Sequence, residues 1–206
     1  MSDPWSCSPE TVAFVAPGLV HRLGNAIFTV QGHAQLPDRP IPRDTVLAAA
    51  NRGGRALAVA RTLLGSTFEP PADPLELLEV LVDLTRIPFR EAGHTLELTR
   101  GAAARTVDPG TFCPAIVEAL RAFHEVLPRG QKGVLRIAVA ADAGDLAVRI
   151  GYAAAAGELP FPLAIPELRQ RLHQRLANRP RRPRLELAGA ALELGFGGAS
   201  AASAQA

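Results

Sequence analysis

Apolar residues recur every three or four positions from Val12 through Val15, Leu19, Leu23, Ile27 and Val30, the period of one α-helical face. The run starts at Ser8-Pro9, a hydroxyl N-cap followed by proline at the first helical position, and reaches about Leu36. Pro17 is expected to kink or break it. Within Leu19–Leu36 the apolar stripe is Leu19, Leu23, Ala26/Ile27, Val30 and Ala34. His21 lies off that stripe. It shares its own face with Asn25 and Phe28, at the spacing that stacks side chains one above another.

Three prolines between Pro37 and Arg43 stop the helix. Asp44 is expected to cap a second helix over Thr45–Leu64, ended by Gly65. Two helices joined by a short turn form an antiparallel hairpin, and a lone hairpin leaves half its apolar surface wet. The pattern predicts that a second copy completes a four-helix bundle, as a homodimer, or that the hairpin packs on the chain's own C-terminal half.

Asp73-Pro74 and Asp108-Pro109 repeat the cap-then-proline start, for helices reaching about Arg90 and Leu127. Thr95–Thr99 between them alternates as a strand does. Gly133–Ala140 and Asp145–Tyr152 alternate strictly around Asp142-Ala-Gly144, a hairpin signature. A basic helix follows over Pro166–Asn178, then a strand pair, Arg184–Ala188 and Ala191–Phe196. The predicted fold class is α+β: an N-terminal helical hairpin followed by an α/β sandwich with helices on one face of a mixed sheet. The predicted domains are residues 1–65, a linker at 66–74, the sandwich at 75–197 and a disordered tail at 198–206.

Composition changes this picture little. Of 206 residues 48% are hydrophobic and 20% charged, as in ordinary globular proteins. A net charge of +2 gives no reason to invoke nucleic acid or an anionic membrane. Lys132 is the single lysine. Two cysteines, Cys7 and Cys113, make no disulfide framework. No signal peptide and no apolar run of the ~18 residues needed for a membrane span is present, so a cytoplasmic location is expected.

The stretch HRLGNAIFTVQGHAQL, from His21 to Leu36, resembles the phosphoacceptor segment of bacterial sensor histidine kinases. The second helix and the helix–strand–helix–hairpin unit after it resemble those kinases' dimerisation hairpin and ATPase-like domain. The resemblance covers roughly Val12 to Gly197, and only its first motif is fairly specific. In the family's nucleotide motif the asparagine that holds magnesium would be Ala122, within Glu118–Pro128. Where the family places an adenine-binding aspartate and glycines, this chain reads Gly151-Tyr-Ala-Ala-Ala-Ala-Gly157. A kinase-like fold without its nucleotide residues is similar to the dimeric histidine phosphotransferases of the ChpT kind.

That resemblance implies that His21 takes a phosphoryl group from one response-regulator receiver domain and passes it to another. It implies no cofactor on this chain, the receiver bringing Mg²⁺, and possible contact with an upstream hybrid histidine kinase. Neutral imidazole is nucleophilic near pH 7, and phosphoryl transfer is mostly positioning and charge neutralisation. Asn25 would hydrogen-bond phosphoryl oxygens or a water, and Arg22 would supply positive charge. Kinases usually carry an acid directly after the histidine, so Arg22 argues against self-phosphorylation.

Other readings stay open. The chain would serve as a non-enzymatic dimeric adaptor or pseudokinase, or as a receiver phosphatase in which Asn25 positions water. An ATP-consuming kinase ranks last. His21 on an idle helix face is the plain alternative. His33, His94, His124 and His173 are dispersed without ligand spacing, so no metal site is expected. No serine lies in a nucleophile elbow, and Cys113 is expected in the core. The arginines of Arg169–Arg184 read first as a solvated helix face, then as a docking patch for an acidic partner, and last as a nucleic-acid contact.

Overall fold

The computed structural model describes residues 7–35, 42–65, 70–101, 105–142, 145–155, 165–177, 183–188 and 191–196. Residues 36–41 of the proline-rich turn, linker residues 66–69, the hairpin turn at 143–144, Gly157, part of the arginine run and the expected disordered tail lie outside these residues. Ten elements follow in the order α1 (Pro9–Ala34), α2 (Arg43–Leu63), α3 (Pro74–Glu91), β1 (His94–Thr99), α4 (Pro109–Val126), β2 (Gly133–Asp142), β3 (Asp145–Ala154), α5 (Ile165–Leu176), β4 (Arg184–Ala188) and β5 (Ala191–Phe196). The class is α+β.

Local chemistry sets the helix starts. Ser8 Oγ accepts from Thr11 N, Asp73 from Leu75 N, and Asp108 from Gly110 N, and each cap is followed by proline. The second helix departs from expectation. It begins at Arg43 with Pro42 in the cap position and no side-chain cap bond, so Asp44 sits inside the first turn rather than capping it. There its carboxylate still faces the positive end of the helix dipole. No break occurs at Pro17 either: α1 is helical throughout. Ala13, the residue whose carbonyl lacks a partner at Pro17, is exposed, so water can serve it.

One mixed sheet orders its strands β1-β2-β3-β5-β4, with β1 parallel to β2 and every other pair antiparallel. Strict alternation gives it two faces. On one, Leu135, Ile137 and Val139 pair with Tyr152, Ile150 and Val148, and Ile150, Val148 and Leu146 pair with Leu192, Leu194 and Phe196. On the other, Arg136 meets Glu97 at 3.3 Å and Arg149 meets Glu193 at 3.4 Å, exposed pairs that add little stability. The apolar face takes the helices. Fully buried Phe89, Phe112, Phe123, Leu78 and Ile116 fill the layer between, each worth about 1.5–3 kcal/mol of apolar burial.

That core does not stop at the hairpin. Val15 on α1 and Ala56, Val59 and Leu63 on α2 belong to the same buried cluster as Leu81, Leu120 and Val148. The stripe read as the inner side of α1 is therefore divided. Leu19 is half-buried against the core, and Leu23 and Ala26 pack on Gly53 of α2, but Ile27, Val30 and Ala34 remain exposed. The hairpin packs partly on its own chain and keeps an apolar side free.

Candidate functional site

α1 carries the candidate residues and α3 and α4 hold α1 in place. At its start, Thr11 Oγ1 donates to the buried carboxylate of Glu118 on α4 at 2.7 Å. Arg121, one turn along α4, reaches Ser8 Oγ at 3.1 Å and Thr11 Oγ1 at 2.7 Å. Two turns on, Gly18 is buried against the Leu84 backbone of α3. One further turn brings Arg22 into an ion pair with Asp83, which Arg86 also approaches at 3.7 Å.

His21 stands on the flank beside these contacts and is exposed. Asn25 Nδ2 lies 3.0 Å from His21 Nε2. The amide nitrogen can only donate, so this bond is made by the tautomer in which Nε2 accepts and Nδ1 carries the hydrogen. Thr29 Oγ1 donates to the Asn25 carbonyl at 2.8 Å. Phe28, next along the same line, is 71% exposed. In the other direction the line reaches Phe14, whose ring packs 5.2 Å from His124 and 6.1 Å from Phe89.

The three residues singled out from sequence thus divide. His21 and Asn25 share an exposed face and a hydrogen bond. Arg22 turns its guanidinium to Asp83 of α3, so its charge is already partnered within the chain. Sequence reading missed Asp83, Gly18, Thr11 and Glu118. Each contact joins residues far apart in the chain, and none carries a local signal.

The positions that the sequence resemblance would assign to a nucleotide motif lie in the core. Ala122 is fully buried, and Glu118 is 3% exposed, takes the Thr11 hydroxyl and faces Arg175 Nη1 at 3.6 Å. These residues do not fit a nucleotide's magnesium, because Ala122 has no donor atom and Glu118 is already engaged. Part of the arginine run turns inward at the same place. Arg175 Nη2 binds Glu125 at 2.6 Å, while Arg171 reaches Glu125 at 2.5 Å and Glu167 at 2.6 Å. Burial would raise the Glu125 pKa, but its bonds and charges with Arg175, Arg121 and Arg171 outweigh that and hold it below the ordinary value. Two arginines of the run are thereby structural.

His94 is buried, bonds the Pro128 carbonyl through Nε2 at 3.1 Å, and packs edge-on against Tyr152. Cys113 is fully buried, which pushes its thiol pKa far up and makes it unreactive. Among the described residues no group of three His, Cys, Asp or Glu side chains converges as a metal ion needs. Among the same residues no helix is long and apolar enough to cross a membrane.

No family model matches the sequence, and no curated protein does. Solved structures do show a likeness of fold. The chain is similar to the Acinetobacter baumannii histidine kinase AdeS at 13% identity, over 87% of this chain and 98% of that one, with a TM-score of 0.44. It is also similar to a bacterial phosphotransferase at 13% identity, over 92% and 97% of the two chains, with a TM-score of 0.36. A third is the cytoplasmic segment of histidine kinase QseC, at 18% identity over 72% and 92%, with a TM-score of 0.40.

Proposed function

We propose that this chain is a histidine phosphotransferase of two-component signalling, relaying a phosphoryl group between receiver domains through His21 without binding ATP. What carries the reading is the exposed imidazole, in a phosphoacceptor-like sequence, with its Nε2 lone pair marked out by the Asn25 amide 3.0 Å away. Nε2 attacks phosphorus of a receiver's aspartyl phosphate. The N–P bond forms as the P–O bond to the aspartate breaks, and the carboxylate leaves with the receiver. Attack by the second receiver's aspartate reverses the sequence and returns the ring to its neutral Nδ1–H form. Mg²⁺ comes with the receiver. Asn25 passes its hydrogen bond from Nε2 to a phosphoryl oxygen as the nitrogen becomes bonded.

The working unit is a homodimer built on a four-helix bundle. What supports it is a second apolar line on each hairpin helix, at the 3–4 spacing of a helix seam. On α1 it runs Val20, Gly24, Ile27; on α2, Leu47, Ala50, Gly54, Leu57. Val20, Ile27 and Leu57 are 70%, 62% and 49% exposed, large apolar side chains that a facing helix would cover. This line adjoins His21, so the bundle would present the imidazole at its flank. The hairpin and the sheet-bearing unit keep their separate roles, dimerisation with phosphotransfer and partner specificity, on a shared core.

The test uses the purified protein, a phosphorylated receiver and its kinase, with and without His21→Ala. Acid-labile, base-stable label on this chain that requires His21 is the expected result. Receiver binding with no label would leave the adaptor reading. Loss of receiver phosphate that persists in His21→Ala but not in an Asn25→Ala variant would assign a phosphatase.

A further inference from the structure

We propose that Asp83 is a positioning residue for His21, acting through Arg22. The inference rests on the phosphotransfer reading and adds to it a residue from a different element, on α3. Arg22 is the last residue of α1 with an ion pair or hydrogen bond to another element among the described residues. His21 immediately precedes it, and beyond it Leu23 and Ala26 pack on Gly53 of α2.

Gly18 fixes the distance between α1 and α3, because backbone meets backbone there. It does not fix rotation. A glycine offers no side chain to catch on its neighbour, so resistance to a roll of α1 about its axis comes from side chains on either side, Val15 and Leu19 in the core and Arg22. The Arg22 side chain reaches sideways to Asp83 one turn later and opposes that roll. A roll of about 10° moves a side-chain tip about 5–6 Å from the axis by about 1 Å. Displacements of that size weaken in-line transfer by up to about a hundredfold. Asp83 is also suited to the task by its own surroundings. Its second oxygen faces Arg86, one turn along α3, so the carboxylate is itself held between two guanidinium groups.

The pair is partly exposed, 27% and 31% by side chain, and pairs of this kind add little to folding stability. Rate and stability should therefore part company. Arg22→Asp, Asp83→Arg and the doubly exchanged protein are compared with wild type in receiver-to-His21 transfer, in melting temperature, and in carbethoxylation of His21 mapped by mass spectrometry. The last is run at one pH, about 8, for every variant. Each single change is expected to lower the maximal transfer rate about tenfold at unchanged receiver KM and melting temperature. The exchanged protein should recover most of that rate. An exchanged protein as slow as the singles would overturn the proposal and assign Arg22 to the phosphoryl group directly, and an Asp83→Arg variant as fast as wild type would also overturn it. If wild type takes no label at all, the phosphotransfer reading fails. The carbethoxylation rates still decide the positioning: altered in both singles and restored in the exchange if Asp83 orients the ring, and unchanged throughout if it does not.

Discussion

Gly18 lies so close to Leu84 that a β-carbon on it would overlap the Leu84 carbonyl. The contact has a cause on each side. Pro88 is four residues after Leu84 and has no N–H to offer that carbonyl, so the oxygen is left outside the ordinary helix ladder. A residue without a side chain can then approach it. Pro88 works a second time, because its own carbonyl takes the His124 Nε2 hydrogen bond at 3.2 Å. One proline thus helps seat α1 and α4 on α3.

Gly18→Ala should therefore destabilise the protein, although alanine is the better helix former. Forcing a methyl group into a filled contact costs about 1–3 kcal/mol. Gly32→Ala is the control: its β-carbon would meet nothing within 4 Å. There the usual gain from replacing glycine in a helix, about 0.5–1 kcal/mol, should appear. Urea unfolding of the two variants reads both signs directly.

The same contact shows where sequence reading stops. Helix starts at Ser8, Asp73 and Asp108 were legible because cap and proline are adjacent in the chain, and the strands because alternation is local. His21 and Asn25 were legible as neighbours because four residues is one helical turn. Periodicity identifies an apolar face but not what covers it, so Ile27 and Val30 read like Leu23 and yet are exposed. Pairs such as Thr11 and Glu118, 107 residues apart, leave no local trace. Arg22 was visible as a cation beside His21, whereas its partner on α3 depended on how the two helices pack.

Glu118→Ala should be among the most damaging single changes. It would take the acceptor from the Thr11 hydroxyl and the facing carboxylate from Arg175 Nη1 in a buried place. Removing one partner of a buried ionic network costs about 3–5 kcal/mol. Thr11→Val, which removes one hydroxyl bonded to two charged groups, should cost about 1.5–3 kcal/mol. The two effects should not add, because the residues share one network. Hydrogen exchange should locate the damage in the first turns of α1 before the sheet responds.

Acid should weaken the fold through two histidines. Burial pushes His94 and His124 below the ordinary value of 6.5, against the smaller opposing effects of their carbonyl hydrogen bonds. Around His124, Arg129 lowers the value further while Glu125 and Glu91 raise it. The unfolded chain then binds protons more readily than the folded one, so stability is full above pH 6.5 and falls as pH drops towards the folded values. Thermal melts between about pH 7.5 and 5 should show the decline. His124→Gln cannot titrate there but can still donate to the Pro88 carbonyl, and it should flatten part of the slope. A slope unchanged in that variant would remove His124 from the account.

Association and phosphotransfer should be separable on adjacent lines of α1. Ile27 and Val20 lie on the proposed seam, whereas Phe28 lies on the line of His21 and Asn25. Ile27→Asp would place a charge where a second hairpin would bury apolar surface, and a desolvated unpaired carboxylate would outweigh the contacts around it. Sedimentation or light scattering should report a monomer whose sheet-bearing core still melts cooperatively, since Ile27 does not belong to the buried cluster. Phe28→Ser should leave the proposed dimer intact and lower receiver-dependent labelling of His21, because the exposed ring would meet whatever approaches the imidazole. If Phe28→Ser dissociates the protein while Ile27→Asp does not, the seam lies on the histidine's own face. The receiver would then have no access to Nε2 in the dimer.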